Sequence, residues 1–317
     1  MKKVLVTGAA GFIGHHLCKK LKDKGYYVRG VDWKKPEYGL VCDEFLKLDL
    51  RYRENCLTSV KGIEEAWLLA ADMGGMGFIQ DLKNQALILY NNTMINFNSL
   101  EACRLEGIKK ILYSSSACIY PNYKQIEINS PALKEVDAYP AEPQDTYGWE
   151  KLQMEHLCKA YRYFGMDIKV VRFHNIYGPE GTYQGGREKA PAAFCRKVIT
   201  AIKNGEDSIE MWGDGKQTRS FCYIDDCLKA MEFVVNSDID YPINIGRDDS
   251  ISMNMLMKIA QSVERVNLKI NHIKGPEGVR GRNSDNTLFK NKFNWEPEIS
   301  LEEGLSKTYK WIKNQLQ

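Results

Sequence analysis

The sequence lacks the features that mark membrane, secreted and nucleic-acid-binding proteins. No apolar run in its 317 residues reaches the roughly 20 residues that a membrane-spanning helix needs. The N-terminal residues show no apolar signal segment with a cleavage site and run directly into a strand pattern. The 44 basic and 41 acidic residues leave a net charge of only +3, which favours no polyanionic partner. We therefore expect a cytoplasmic protein that binds neither a membrane nor a nucleic acid.

Cysteine is present, but not in the pattern of a disulfide framework or a metal site. The nine cysteines are scattered, odd in number and without a C-x-x-C pair, and the five histidines do not cluster with them. We therefore expect reduced thiols, most of them in the core, and no metal. Hydrophobic residues make up 44% of the chain, which is enough for a core and excludes a disordered protein.

Short apolar strand patterns alternate with helical patterns over the first 175 residues. Strands are predicted at 3–8, 27–32, 45–48, 66–69, 110–114 and 167–173, and helices at 14–24, 91–106 and 147–164. This alternation predicts an α/β fold with a doubly wound, Rossmann-like parallel sheet.

The pattern changes after Asn175. A glycine-rich loop at 178–186 precedes a predicted helix at 191–204 and then shorter pieces, among them a strand near 243–246 that we expect to return to the main sheet. We therefore predict a Rossmann domain over residues 1–175, with residues 176–317 forming mainly a smaller C-terminal, substrate-binding lobe.

A glycine-rich loop joins the first predicted strand to the first predicted helix. Gly8, Gly11 and Gly14 form a G-x-x-G-x-x-G pattern, in which the glycines permit a tight turn, close approach of a pyrophosphate and close helix packing. Asp32 ends the next strand, where its carboxylate can bind the adenosine ribose and would repel a 2′-phosphate. The pattern predicts NAD rather than NADP, although two lysines follow Asp32 closely. The alternative is a glycine turn in a protein that binds no cofactor.

Tyr147 and Lys151 lie four residues apart, on one face of a predicted helix. A lysine ammonium beside a phenol is expected to lower the phenol pKa, so that the tyrosinate can take a hydroxyl proton while a nicotinamide accepts the hydride. The serine run at the end of the fifth strand supplies Ser116 to hold the substrate oxygen. A Tyr-x-x-x-Lys pair alone is common and often a surface contact, but the three features in this order are much more specific.

Together with these motifs, two further segments resemble the nucleotide-sugar branch of the extended short-chain dehydrogenases/reductases. They are the R-x-x-N-x-Y-G-P pattern of Arg172–Pro179 and the Y-I-D-D pattern of Tyr223–Asp226. Five stretches narrow the resemblance to the GDP-mannose 3,5-epimerase family, and it extends over nearly the whole chain. These stretches are 70–80, 115–121, 185–194, 211–221 and 275–286.

The resemblance implies an NAD-dependent isomerase that converts GDP-mannose into GDP-L-galactose, with a singly inverted GDP-hexose as a by-product. In this family a cysteine and a lysine at the positions of Cys118 and Lys189 invert carbons 3 and 5 from opposite faces. Cys118 lies two residues beyond Ser116, so both side chains would point to the same side of an extended segment. Without the surrounding motifs, Cys118 would be read as a core thiol and Lys189 as a solvated loop lysine.

The remaining site residues are expected to hold the cofactor and the nucleotide sugar. Arg219 and Arg282 could each form a bidentate contact with a diphosphate, and Lys197 could add positive charge. The resemblance implies that NAD is also contacted by Phe12, Ile13, Asp49, Leu50 and Ala70. It implies that the substrate is also contacted by Gly74, Ser116, Ala117, Asn175, Glu188, Ala190, Gln217 and Thr218.

Three other functions remain open at this point. A 4-epimerase would leave Cys118 and Lys189 without a role, and the related 4,6-dehydratases carry an acidic residue where Cys118 stands. A non-catalytic dinucleotide sensor would not need Tyr147, Lys151 and this second pair together. The resemblance also implies a homodimer that pairs the helices at 91–106 and 147–164.

Overall fold

A computed structural model describes all residues, Met1–Gln317. The main sheet contains seven parallel strands, hydrogen-bonded in the order β11-β6-β5-β4-β1-β2-β3. Their bounds are β1 Lys3–Thr7, β2 Tyr27–Asp32, β3 Glu44–Lys47, β4 Glu65–Leu68, β5 Lys110–Ser116, β6 Asp167–Phe173 and β11 Ile243–Ile245. The strands are nearly continuous apolar runs because helices cover both faces of the sheet. The predicted doubly wound α/β fold is confirmed.

Ten helices accompany the sheet. They are α1 Phe12–Asp23, α2 Arg53–Val60, α3 Met76–Ile79, α4 Leu82–Glu106, α5 Thr146–Tyr161, α6 Ala190–Asn204, α7 Ile224–Val235, α8 Met253–Ser262, α9 Thr287–Phe293 and α10 Leu301–Gln315. None of them combines the length and the apolar character that crossing a membrane would require.

The helix predicted at 91–106 is longer than expected, because α4 begins nine residues earlier, at Leu82. The side chain of Asp81 caps it by accepting a hydrogen bond from the backbone N–H of Lys83. Leu87 and Tyr90 in its first half are exposed, so the apolar residues surround the helix instead of forming one stripe. This distribution hides the helical period in the sequence.

The chain after Asn175 forms three small sheets and five of the ten helices, α6 to α10. Their strands are β7 Ile176–Tyr177, β8 Ser208–Trp212, β9 Thr218–Ser220, β10 Cys222–Tyr223, β12 Ser250–Ser252, β13 Lys269–Ile273 and β14 Gly281–Arg282. However, β11 pairs with β6, and α7 packs on β5, β6, β11 and α1. The largest core cluster runs from β1 and α1 to α6, α8 and α10 without a break. The division into lobes near Asn175 stays a prediction.

The glycine-rich loop brings the start of α1 against the end of β1. Gly8 has a positive φ of 73°, and a Cβ atom at Gly14 would lie only 2.1 Å from the carbonyl oxygen of Gly8. Gly11 has an ordinary φ of −89°, and a Cβ there would be 3.2 Å from the same oxygen. Gly14 is therefore required by packing, whereas Gly11 is not.

We predict that Gly14→Ala and Gly11→Ala have different effects. Gly14→Ala forces α1 away from β1 and should lower the free energy of unfolding by about 2–3 kcal/mol. Gly11→Ala should leave the unfolding midpoint nearly unchanged but weaken dinucleotide binding, because the added methyl group stands where a pyrophosphate would approach. Denaturant unfolding and cofactor titration measure the two effects. Equal stability of both variants would contradict the packing argument.

Candidate active site

The end of β2 meets the glycine-rich loop through the carboxylate of Asp32. This carboxylate accepts hydrogen bonds from the backbone N–H groups of Ala10, at 3.1 Å, and Lys34, at 3.2 Å. Burial is the main cause that raises the pKa of Asp32. The cradle at Gly14 and the acidic group at the strand end together fit a dinucleotide whose ribose hydroxyls donate to Asp32.

Asp49 and Leu50 follow β3 on the same edge of the sheet. The guanidinium of Arg51 donates to both oxygens of Asp49, at 2.6–3.0 Å, and holds the pKa of that carboxyl below its usual range. Arg51 also donates to Asn91 on α4, and so fixes the loop to this helix. Arg51 was not predicted from the sequence. Its position two residues after Asp49 is the one feature of the sequence that indicates this contact.

The serine run at the end of β5 is divided among different partners. Ser114 donates to the carbonyl oxygen of Leu68, at 3.1 Å, and Ser115 donates to Glu155. Only Ser116 is left to act toward the site. Its hydroxyl oxygen accepts a hydrogen bond from the backbone N–H of Cys118, at 3.1 Å, and the side chain lies close enough to Tyr147 to lower the pKa of that phenol, against the larger effect of burial. The structure therefore brings Ser116 and Tyr147 together, as their predicted roles require.

The net pKa change of Tyr147 is opposite to the decrease expected from Lys151, because burial has the larger effect. Burial raises the pKa of Tyr147 well above its ordinary value, and the Cys118 thiol adds to the increase. Lys151 donates to the hydroxyl of Tyr113 and to the carbonyl oxygen of Ser114, while its Nζ lies 5.7 Å from the centre of the Tyr147 ring. Burial also lowers the pKa of Lys151. Desolvation is therefore the largest influence on the pKa of both side chains.

Cys118 differs from the other eight cysteines, because they are buried and it is partly exposed. The segment that carries it is not extended as expected: Ala117–Ile119 form a 3₁₀ turn whose first N–H groups are capped by Ser116. The Nη1 group of Arg282 donates to the sulfur of Cys118 at 3.2 Å. The arginine thus places a positive charge directly against the sulfur of Cys118.

The two arginines are less free for a diphosphate than the sequence indicated. Arg282 donates to Gln125 at 2.5 Å as well as to Cys118. The terminal nitrogens of Arg219 donate to the carbonyl oxygens of Thr218 and Val279, both at 2.7 Å. Burial, helped by repulsion from Arg282, lowers the pKa of Arg219 to about 9. Both side chains therefore contribute positive charge to the site, but neither guanidinium has a pair of N–H groups free for a bidentate contact with a diphosphate.

Lys189 is placed by contacts between two loops. The backbone N–H of Gly75 donates to the carbonyl oxygen of Arg187 at 3.0 Å, and a Cβ at Gly75 would lie 2.3 Å from the carbonyl oxygen of Glu188. Arg187 also pairs with Asp72 at 2.7 Å. Lys189 stands at the N-cap position of α6 without a capping hydrogen bond from its side chain. Burial lowers its pKa, and Cys118 acts in the opposite direction.

Cys118 perturbs the pKa of Tyr147, Lys151, Lys189 and Arg219, so these side chains share one electrostatic neighbourhood. The sequence separates them by up to about one hundred positions, but the loops after β5 and before α6 converge here. The convergence brings the predicted redox pair and the predicted inversion pair into one site.

The residues predicted to contact the substrate differ in whether their side chains already have hydrogen-bond partners. Asn175 has a left-handed φ of 46° and donates to the carbonyl oxygen of Ser220, whereas the Oε1 atom of Gln217 is buried without a partner. Thr218 donates to the carbonyl oxygen of Ile128, and Lys197 to that of Glu210, both at 2.7 Å. The amide oxygen of Gln217 is therefore the most available of these groups. Gly74, Ala117 and Ala190 offer no side-chain donor or acceptor.

A buried polar network that the sequence analysis missed lies beneath the site. Arg172 on β6 makes a bidentate ion pair with Glu155 on α5, at 2.7 and 2.9 Å, and donates to the hydroxyl of Tyr120. Tyr120 in turn donates to Asn244 on β11 at 2.6 Å, and His174 hydrogen-bonds the same oxygen. The network fixes the segment after β5, which carries Cys118, to three other elements.

Comparison with known proteins supports this assignment of elements and motifs. A family model described as the NAD dependent epimerase/dehydratase family matches residues 4–246. A GDP-mannose 3,5-epimerase of Arabidopsis thaliana is 54% identical over 319 residues, covering 99% of this chain and 83% of that protein.

Two solved structures share the fold over the full length of the chain. A UDP-glucose 4-epimerase from Thermotoga maritima, solved with UDP-glucose, matches with a TM-score of 0.88 and 27% identity, over 99% of this chain and 100% of that one. A UDP-glucuronic acid 4-epimerase from Bacillus cereus, solved with UDP-glucuronic acid and NAD, matches with a TM-score of 0.81, 27% identity and the same coverage.

The predicted isomerase class and NAD cofactor are confirmed by these matches. The chain belongs to the NAD dependent epimerase/dehydratase family and, within it, to the GDP-mannose 3,5-epimerases.

Proposed function

We propose that the chain converts GDP-mannose into GDP-L-galactose by oxidation at carbon 4, inversion at carbons 3 and 5, and reduction at carbon 4. A singly inverted GDP-hexose is the proposed by-product. The observation that carries the proposal is the position of Cys118, the one cysteine outside the core, 3.2 Å from Arg282 and in the same neighbourhood as Tyr147 and Lys189. A 4-epimerase has no use for such a second acid/base pair.

The first half-reaction belongs to Tyr147, Lys151 and Ser116. NAD, when bound, supplies the hydride acceptor and a positive charge close to the phenol. Ser116 holds the oxygen on carbon 4, and the Tyr147 oxygen takes its proton and later returns it. Because burial keeps the Tyr147 phenol protonated in the protein alone, its ionisation requires positive charge in the assembled site. Lys151 supports the ribose of the nicotinamide.

The second half-reaction belongs to Cys118 and Lys189. A ketone at carbon 4 makes the hydrogens on carbons 3 and 5 acidic. The sulfur of Cys118, which lies against the guanidinium of Arg282, takes such a proton as a thiolate on one face. The ammonium of Lys189 donates a proton on the opposite face, and its burial makes that proton easier to lose. Each exchange inverts one carbon.

The proposed binding residues form one set for NAD and another for the nucleotide sugar. Gly8, Gly11, Gly14 and Asp32 hold NAD, with Phe12, Ile13, Asp49, Leu50 and Ala70 completing its site. For the nucleotide sugar, the buried and unpartnered oxygen of Gln217 is a ready acceptor. The other proposed contacts are Gly74, Ala117, Asn175, Glu188, Ala190, Lys197, Thr218, Arg219 and Arg282.

The proposed assembly is a homodimer in the cytoplasm. The helices α4 and α5 pack side by side and carry exposed apolar side chains, among them Leu87, Tyr90 and Trp149. A second copy that pairs the same two helices would remove these side chains from water. The nine cysteines, all of them unpaired, are in keeping with a reducing compartment.

We predict that mutations separate the two half-reactions. Tyr147→Phe should bind NAD and GDP-mannose but lose hydride transfer at carbon 4. Cys118→Ala and Lys189→Met should still transfer hydride at carbon 4 but lose formation of the inverted product by about 10²–10⁴-fold. Reduced nicotinamide is followed by its absorbance, and the GDP-hexoses are separated by chromatography.

Matched controls for these variants are Cys103→Ala, which removes a core thiol, and Lys203→Met, which removes an exposed lysine from α6. Both controls should keep wild-type activity per folded molecule. Inversion by Cys118→Ala at the control rate would overturn the second half-reaction. A 4-keto-6-deoxy product would instead identify a dehydratase.

We predict that Asp32 selects the cofactor. Asp32→Ala should weaken NAD binding by roughly 10–100-fold, because it removes a charged hydrogen-bond acceptor, and should reduce the discrimination against NADP. Fluorescence titration with both cofactors measures this change, and Lys34→Ala is the control for charge near the same position. A wild-type preference for NADP would contradict the assignment.

A further inference from the structure

Tyr113 is a buried side chain of β5 that none of the motifs includes. It is 1% exposed and lies on the strand three residues before Ser116, whose neighbour Tyr147 stands on α5. Its hydroxyl oxygen accepts a hydrogen bond from the Nζ of Lys151 at 3.1 Å. The same ammonium lies 4.8 Å from the centre of the Tyr113 ring. Tyr113 therefore contacts Lys151 both through its oxygen and through its aromatic face.

The donors of the Lys151 ammonium can be counted. An ammonium has three N–H groups. One donates to Tyr113 and a second to the carbonyl oxygen of Ser114, at 2.9 Å. Tyr113 is the one side chain that accepts a hydrogen bond from Lys151. Glu150 accepts from Asn96 on α4 through Oε1, at 2.6 Å, and its Oε2 is buried without a partner. A single N–H is left for a ligand, and its direction is fixed by the other two.

The hydrogen bond to Tyr113 matters for the charge on Lys151, because Lys151 is buried. Burial is the largest influence on Lys151 and lowers its pKa. The opposing groups are Glu150, Glu155 and Cys158 on α5 and Cys118 after β5, and Glu155 is already paired with Arg172 of β6. Tyr113 is itself a neutral phenol, because burial and Glu150 raise its pKa well above the ordinary value. A neutral oxygen can accept from the ammonium without adding a charge.

We propose that Tyr113 is a positioning residue, which holds the Lys151 ammonium charged and directs its one remaining N–H toward the cofactor. This inference deepens the proposed function, because it rests on the role of Lys151 beside Tyr147. The hydroxyl supplies the second acceptor, and the ring supplies a cation–π contact that partly replaces lost hydration. Lys151 is the one hydrogen-bond partner of the Tyr113 hydroxyl, so Tyr113 acts through the lysine.

The consequence is a change in the pH profile. The charged form of Lys151 is present below its pKa and is lost as the pH rises through it. Removing the Tyr113 oxygen takes away an acceptor that favours the charged form, so the pKa of Lys151 should fall. The alkaline limb of kcat should then move to lower pH by about one unit. A merely structural role would lower kcat at every pH without moving the limb.

The test compares Tyr113→Phe with wild-type protein and with Tyr161→Phe. Tyr161 lies on the same helix as Lys151 and loses a hydrogen bond to Glu101, but it does not contact Lys151. The pH dependence of kcat with GDP-mannose, and of NAD affinity without substrate, are measured for all three. We expect the alkaline limb and the pH at which NAD binding weakens to shift together in Tyr113→Phe alone.

The affinity measurement keeps the test independent of turnover. If Tyr113→Phe does not fold, Tyr113→Met removes the same hydroxyl with a flexible side chain, and the same shift is expected. Unchanged limbs in a folded variant would overturn the role of Tyr113. Lys151→Met distinguishes this result from failure of the proposed function: normal turnover by that variant would remove Lys151 itself from the mechanism.

Discussion

The buried ion pair between Arg172 and Glu155 holds together the elements that carry the active site. Arg172 stands on β6 and Glu155 on α5, and their bidentate contact is completed by Ser115 of β5 and Tyr120. Removing one partner of such a pair costs about 3–5 kcal/mol, because it leaves the other charge buried. The pair therefore fixes the position of α5 relative to β5 and β6. Ser116 lies one residue beyond Ser115 and Tyr147 two helical turns before Glu155, so the distance between Ser116 and Tyr147 is fixed as well.

Desolvation is the largest influence on the pKa values of the buried site residues. Burial raises the pKa of Tyr147 and lowers those of Lys151 and Lys189, so it favours the neutral form of all three, whereas Cys118 acts in the opposite direction on both lysines and Glu150 on Lys151. Positive charge is supplied where an anion has to form, by Arg282 in contact with Cys118. In the proposed mechanism the two half-reactions therefore depend on different contacts: hydrogen bonds from Lys151 to Tyr113 and Ser114 hold the ammonium for the redox step, and the guanidinium of Arg282 lies against the thiol that acts in the inversion.

The sequence predicts strongly periodic elements well and side-chain partners poorly. The bounds of β2 and β6 are the predicted ones, because both are short segments rich in β-branched and aromatic residues, and a glycine stands two residues before each. The start of α4 could not be predicted, since its apolar residues Leu87 and Tyr90 face outward. The glycine spacing led to Gly14 and Asp32 directly. In contrast, the contact of Arg282 with Cys118 spans 164 positions, and burial reverses the expected pKa change of Tyr147, so only the folded chain reveals either.

In the proposed mechanism, Tyr147 and the cofactor act at carbon 4, whereas carbons 3 and 5 exchange protons with side chains in contact with solvent. Turnover of GDP-mannose by the wild-type enzyme in deuterium oxide, followed by NMR of the purified GDP-hexose product, tests this claim most directly. The account predicts deuterium at carbons 3 and 5 and hydrogen retained at carbon 4, because the hydride never leaves the site. Deuterium at carbon 4 alone, or an inverted product without deuterium at carbons 3 and 5, would contradict it.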